Sequence, residues 1–564
     1  MNRINFEKAH GVDQVMTPEF IEYLLVLHDH FSPLIHDIRH SRMEMLSKSL
    51  ENISLPDDNT DFKTLSSNWQ VAPVPDELRK PGIEISGPSS ITSMFINALN
   101  PGPEGVRAEG DLDDDEDASG HRFSDTVTSA INRLGAVNRT LNYTNNQTGK
   151  KYSIKEGEIP FFMHRERGLH LDEHSVMIDG KPISASILGT ALTIFHAGQA
   201  QINKGQGVYF YLPKMELLEE ANLWKNFFDL SIDHLKLPSH TVIKAIPLIE
   251  SLPAVYRMDG FLNALGPYAA GLNAARWDLK ASIFEYTMTN EKGVWPDRFD
   301  VDIKTTPFIA NIFRRLVATC LNRNAVPIGG MATALPSKNE EVNLMASNSI
   351  KEDKEWEAQQ GFIRAWVAHI YHMKTAGDPF KNLNPSKLNI SEQRQDPNNY
   401  PVQIDVPNGN ITLEGTRRNA RMLIEYLEGW LNGRGAKGID SLEGKSGNRP
   451  ALMEDLATGR MSVAQIAQRI LHQVRDSDSG NIHTFDIVKH LLKGEVEDIV
   501  ERRTTEMSRS GIKPSSINEM SIRYQKAFKI SLQWINNYVN LNFRSLGSYT
   551  RKDLGVIAEK EEAF

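Results

Sequence analysis

Short apolar runs alternating with amphipathic helical stretches dominate the middle of this 564-residue chain and restrict its fold more than any other feature. The runs are Met94–Leu99, Val208–Leu212, Ile243–Ile249, Gly271–Ala275, Ala325–Ile328 and Ala365–Ala368, each bounded by Gly, Pro or acidic residues. Helical patterns such as Met215–His234 and Phe308–Asn322 lie between several of them. Strands that alternate with helices argue for crossover units and a parallel sheet. Two acids help choose which sheet: Glu250 ends one run and Asp278 follows the next, 28 residues later. A closed barrel of about 250 residues has roughly 31 residues per strand–helix unit, so this spacing favours an α/β fold of the TIM (β/α)8 type over an open sheet.

The flanks read differently. Thr17 can cap a helix, Pro18 suits its first position and Glu19 favours its dipole; Phe20, Leu24, Leu27 and Phe31 then recur at helical spacing, so 17–54 reads as one or two helices. Pro56–Asn59 breaks them, and Pro73, Pro75 and Pro81 stiffen the connector that follows. Val127–Glu156 reads as a β-rich insertion with a hairpin turn. Beyond about residue 376 a polar, Asn/Pro-rich connector leads to helices at Thr416–Leu431, Ser462–Val474, Phe485–Glu495 and Ile517–Leu541. The expected division is therefore a helical segment over 1–80, a barrel over 81–375 with its insertion near 127–156, and a helical domain over 376–564.

Composition excludes several classes. With 63 basic against 72 acidic residues the net charge is −9, and no basic-aromatic stripe offsets it, so nucleic acid is not an expected partner. No apolar stretch reaches the length of about 18 residues that a membrane span needs. Met1–His10 carries Arg3, Glu7 and Lys8 and lacks an apolar signal core. The single Cys320 can form neither an internal disulfide nor a thiolate-rich metal site, which suits a reducing compartment.

Candidate chemistry sits mainly at run ends. In a barrel the C-terminal strand ends converge on one face, and two carboxylates there, Glu250 and Asp278, suit Mg²⁺, which takes one or two protein carboxylates. The ordinary alternative is a strand-end acid capping the next helix. Arg165 and Arg167 precede a turn in Met163–Leu171; a fixed arginine can stabilise an oxyanion, although surface pairing with an acid is the commoner role. Glu454 and Asp455 open a helix-like stretch, where an acid is normally a cap. His170/His174 and His369/His372 have helical ligand spacing but no HExxH pattern. The acidic run Asp111–Asp117 lacks the glycine and terminal glutamate of an EF-hand and reads as a solvated loop. Gly329-Gly330 lacks a phosphate-loop pattern.

Taken together, seven stretches in this order carry a specific resemblance. They are Arg165–Glu173, Tyr209–Glu216, Ile249–Ala254, Ala270–Asn273, Arg276–Asp278, Gly329–Ala332 and Leu452–Glu454 continuing through Thr458. The chain resembles the malate synthase family in its shorter, A-type form, from about Thr17 to at least Ile470. That resemblance implies a TIM barrel with an N-terminal helical clasp, an inserted α/β region and a C-terminal helical plug. It also implies Claisen-type condensation of acetyl-CoA with glyoxylate, then hydrolysis of malyl-CoA to malate and CoA within the glyoxylate cycle. By matching positions, Glu250 and Asp278 would bind Mg²⁺, Asp455 would be the catalytic base and Arg165 the catalytic arginine. Backbone amides near Trp277 and Asp278 would hold the glyoxylate carboxylate, and the segment around Asp113 and Asp114 resembles a family stretch close to the metal.

The residue types suit that chemistry. A thioester methyl is a weak acid, so a carboxylate base works only if the enolate is stabilised as it forms, and a guanidinium does so without giving up a proton. The chain departs from the family pattern at Ile363-Arg364, Ile370–His372 and Ala274-Ala275, in a longer acidic run, and in Asp440–Pro450, which looks inserted. These departures bear on acyl-CoA recognition and glyoxylate specificity. They keep two alternatives in view: a related acyl-CoA/2-oxo-acid condensing enzyme or malyl-CoA-type lyase, and a non-catalytic paralogue acting in assembly or regulation. The terminal Glu561–Phe564 is not the usual peroxisomal tripeptide, so the cytoplasm is the expected location. A homo-oligomer stays open, because interface and core use the same residue types.

Overall fold

Strands buried on both faces need near-continuous apolar sequence, and Val208–Leu212 (Val-Tyr-Phe-Tyr-Leu) and Ile243–Ile249 supply it. The computed structural model describes residues 3–52, 54–56, 68–301, 303, 306–383, 391–440, 442 and 447–559. Among these, eight parallel strands close into a barrel: β1 (Gly82–Gly87), β2 (Gly110–Asp114), β3 (Phe161–Arg165), β4 (Val208–Leu212), β5 (Ile243–Ile249), β6 (Gly271–Ala274), β7 (Val326–Ala332) and β8 (Arg364–Val367). Each strand pairs with its neighbours in sequence, and β8 closes the barrel on β1 through Arg364↔Gly82 to Val367↔Ile85. At Gly271 the backbones of β6 and β7 approach so closely that a Cβ would lie 2.0 Å from the Val326 carbonyl oxygen.

The chain forms two units. The first comprises Met1–Ser47, Pro56–Arg276 and Asn311–Val402, and contains the barrel. The barrel interior holds a polar group: Arg364 Nε donates to Glu84 at 2.6 Å, and the Tyr211 hydroxyl and Trp366 indole donate to the other Glu84 oxygen at 2.7 and 3.1 Å. The Arg364 Nη1 group also donates to the Leu78 and Lys80 carbonyls, which ties the start of β1 to β8. The long helix α1 (Pro18–Leu50) buries Phe20, Tyr23, Leu24, Leu27 and Phe31, the residues whose periodicity marked it.

The second unit comprises Lys48–Leu55, Trp277–Ala310 and Gln403–Phe564. It is built from helices at Trp277–Tyr286, Leu413–Leu431, Leu456–Leu471, Phe485–Arg509 and Pro514–Val539, around buried Tyr426, Trp534 and Tyr538. No helix among the described residues is long and apolar enough to cross a membrane.

Three readings need correction. Met94–Leu99 is not a strand but most of a helix, Thr92–Ala98; a six-residue apolar run carries too little periodicity to separate the two. Three strands, β1, β2 and β3, lie outside the apolar runs, because β2 is acidic and β3 ends in His164 and Arg165. Val127–Glu156 continues the helix Phe123–Val137 and then forms a two-stranded hairpin, Asn142–Thr144 with Lys151–Ser153. In the inserted-looking Asp440–Pro450, residues 441 and 443–446 lie outside the described ones.

His372 is fully buried, with neither ring nitrogen hydrogen-bonded. Burial, reinforced by His369, pushes its imidazole down to about 4. The unfolded chain therefore takes up a proton near pH 6.5 that the folded chain refuses until about pH 4. The stability this group contributes is present above pH 6.5 and is lost as pH falls through that window. His372→Leu is expected to flatten this acid loss, read as a smaller fall in melting temperature between pH 7 and pH 5 than the parent shows.

Candidate active site

Arg165 ends β3 and pairs in register with Asp114, which ends β2. Its Nε and Nη2 groups donate to the two Asp114 oxygens at 2.8 and 2.5 Å, and its guanidinium lies 5.3 Å from the Trp366 ring on β8, across the barrel interior. Burial disfavours the charge, but Asp114 and Asp117 outweigh it and hold the guanidinium more basic than usual. Arg165 is thus a fixed cation. Asp114 Oδ1 also accepts from the backbone N–H groups of Glu116 and Asp117 at 3.0 and 3.2 Å, an Asx turn that curls the acidic segment over the strand end. The acidic run is therefore not a solvated loop. Its acids Asp111 and Asp113–Asp117 are buried: Arg133, Arg165 and Lys214 meet the charges of Asp113–Asp117 inside, while burial and Asp113 push the Asp111 carboxyl well above its usual range.

Lys214 comes just after β4 and Pro213, with φ +54°, a left-handed turn uncommon for a side-chain-bearing residue and a recurrent feature of functional sites. That turn aims its backbone N–H at Glu250 Oε1, 2.6 Å away. Its ammonium lies 2.9 Å from Glu116, 3.4 Å from Asp117 and 3.7 Å from Glu250. Glu250 follows the last residue of β5, and Ser251 next to it anchors the turn by donating to the Met215 carbonyl at 2.7 Å. Arg165 and Glu250 are thereby brought to one acidic cluster, since Arg165 Nη1 is also 3.3 Å from Asp117.

The charge balance of that cluster is informative. Four buried carboxyls, Asp114, Glu116, Asp117 and Glu250, face two cations, Arg165 and Lys214. Burial, with Asp117 and Glu250 beside it, pushes the Glu116 carboxyl far up; Asp117, also buried, is held below its usual range by Lys214 and Arg165. The cluster therefore gathers more carboxyls than its two cations offset. An oxygen-rich set with surplus negative charge suits a hard divalent cation. Among the described residues no group of three or more His, Cys, Asp or Glu side chains is arranged to hold a metal ion, a number Mg²⁺ does not require. Neither histidine pair spans an α-helix: His170 lies in a turn and His174 in the strand Asp172–Ile178, while His369 caps the 3-10 turn Ile370–His372, its Nδ1 accepting from the Tyr371 N–H.

Trp277, Asp278 and Asp455 belong to the second unit, where one framework holds them. Trp277 opens the helix Trp277–Tyr286, and Arg298 stacks on its ring at 5.0 Å while donating to Glu454 at 3.0 Å. Glu454 ends the strand Leu452–Glu454, which pairs with Lys437–Ile439 and delivers Asp455 to the start of the helix Leu456–Leu471. There Asp455 is the N-cap: Oδ1 accepts from the Ala457 and Thr458 N–H groups at 3.1 and 3.3 Å, and the Asp455 N–H donates to Thr458 Oγ1 at 3.1 Å. The capping role weighed from sequence is real, and it also fixes the carboxylate in place. One turn on, Arg460 donates to Asp278 at 2.9 Å and to Glu285 at 2.8 Å.

Comparison with known proteins bears on the whole chain. The family model for the malate synthase TIM barrel domain matches residues 161–405, and that for the malate synthase C-terminal domain matches 410–541. The malate synthase A of Escherichia coli (strain K12) is 35% identical over 504 residues, covering 88% of this chain and 90% of that protein. The chain belongs to the malate synthase family. A malate synthase of Streptomyces clavuligerus is 31% identical over 96% of both chains, and one of Myxococcus xanthus is 35% identical over 81% of this chain and 82% of its own. As a malate synthase family member the chain holds residues that sequence reasoning left without roles, namely Lys214, Glu116 and Asp117. Two segments already singled out, Tyr209–Glu216 and the acidic run, contained them. What was not readable was that the ends of β2, β4 and β5 gather them.

Proposed function

We propose that Arg165, Glu250, Asp278 and Asp455 carry the chemistry of a malate synthase in this chain. The reaction is condensation of acetyl-CoA with glyoxylate, followed by hydrolysis of malyl-CoA to malate and CoA. The observation that supports these roles best is the buried strand-end cluster, in which a permanently charged arginine and Glu250 share a surplus of negative charge.

Asp455 takes a proton from the acetyl methyl group as the general base. The electron pair left behind delocalises onto the thioester oxygen, where Arg165 stabilises the developing charge as a preorganised donor. The enolate carbon then bonds to the aldehyde carbon of glyoxylate while the thioester C=O reforms; the aldehyde π pair moves onto its oxygen, which takes up a proton to become the hydroxyl of malyl-CoA. The glyoxylate carboxylate is held by backbone N–H groups at the start of the helix Trp277–Tyr286, a position whose dipole favours anions. Water then cleaves the thioester and releases CoA. Mg²⁺, held by Glu250 and Asp278, would supply Lewis-acid polarisation of the aldehyde.

The test is release of CoA thiol from acetyl-CoA plus glyoxylate, with malate identified as product. Removing divalent metal with a chelator is expected to abolish release and Mg²⁺ to restore it. Accumulation of malyl-CoA without thiol, or full activity in chelator, would overturn this reading.

A further inference from the structure

We propose that Arg133 is a positioning residue for Arg165, acting from outside the barrel by locking together the ends of β2 and β3. The inference rests on the catalytic role assigned to Arg165. Side chains alternate along a strand, so Asp113 and Asp115 face away from Asp114, and His164 and Glu166 face away from Arg165. Three of those outward residues, Asp113, Asp115 and Glu166, meet Arg133, which the helix Phe123–Val137 presents fully buried. Its Nε group donates to Asp113 at 2.7 Å, Nη1 to Glu166 at 2.5 Å and to Thr193 at 3.0 Å, and Nη2 lies 3.3 Å from Asp115. One guanidinium therefore gathers carboxylates from both strand ends.

The neighbouring rung is tied as well: Asp113 and His164 are register partners, with Nδ1 and Oδ2 2.6 Å apart. Glu166 is held on its other side by Thr193, whose hydroxyl donates to it at 2.6 Å, and by the helix Ala185–Thr193, which passes so close that a Cβ at Gly189 would lie 2.3 Å from Glu166 Oε2. Asp114 and Arg165 sit on the backbone between these tethered residues. Without the guanidinium, Asp113 and Glu166 lose the cation that joins them, the two strand ends splay, and Arg165 leaves its position. A lysine at 133 keeps the charge but cannot span both strands with a rigid fork.

Arg133→Lys is expected to lower kcat about ten-fold, the scale of a displacement well under 1 Å, while KM for glyoxylate stays within about two-fold. Glu166→Gln, which leaves the Arg133–Asp113 bonds in place, gives a smaller loss of the same kind and serves if Arg133→Lys does not fold. In an Arg165→Lys background, Arg133→Lys should cost little further, because both act through one side chain. Equal losses in the two backgrounds, as a purely structural Arg133 would give alongside a lower melting temperature, would overturn the inference. So would wild-type kcat in both Arg133→Lys and Glu166→Gln when Arg165→Lys is impaired. Full activity of Arg165→Lys would instead sink the role of Arg165 itself, and this inference with it.

Discussion

Asp455→Asn is expected to lower turnover about a thousand-fold, within the range for loss of a general base, while the protein unfolds at nearly the parental temperature. The two halves of this result separate the roles that Asp455 combines. Its Oδ1 caps the helix Leu456–Leu471 through the Ala457 and Thr458 N–H groups. Asparagine caps as well as aspartate, because its side-chain oxygen accepts the same bonds, so the helix start survives the change. An amide, however, cannot take a proton from a thioester methyl at neutral pH. KM for acetyl-CoA should change little, since the lost interaction belongs to the transition state. Asp455→Ala, by contrast, should lose turnover and also about 1 kcal/mol of stability, because alanine cannot cap. Steady-state kinetics beside thermal unfolding checks both; an Asp455→Asn protein with near-parental turnover would refute the base.

Arg165→Lys is the second large effect, with an expected fall of about 10²–10³-fold in kcat. Net charge is unchanged, so a loss of this size isolates geometry. The guanidinium grips Asp114 with two parallel bonds and lies over Trp366, which leaves it one orientation. An ammonium is a point charge that cannot make the fork, and it is drawn toward Asp114 or Asp117 instead of the substrate oxygen. Arg165→Ala is the poorer probe, because it strands buried carboxylates and costs about 3–5 kcal/mol of stability. Comparison of kcat with KM for both substrates decides: equal losses in kcat and kcat/KM mark a contact made in the transition state.

The sequence by itself determined the strand–helix alternation, the barrel and the helical C-terminal part, because buried parallel strands and amphipathic helices impose their periods on the residues. It also singled out Arg165, Glu250, Asp278 and Asp455, the residues proposed here to do the chemistry, since they stand in ordered motifs that survive on one line of text. It did not reveal that the acidic run begins in a barrel strand and curls over its end. A run of like charges has the composition of a solvated loop, and it becomes core only when Arg133, Arg165 and Lys214, 16 to 103 residues distant in the chain, arrive from other elements. Nor did it show Lys214 between Glu250 and Glu116, or Arg460 against Asp278, because such pairings depend on which strand ends and helix turns become neighbours. Local pattern is written in consecutive residues. Charge compensation is a property of positions brought together in space, and only the tertiary structure decided it.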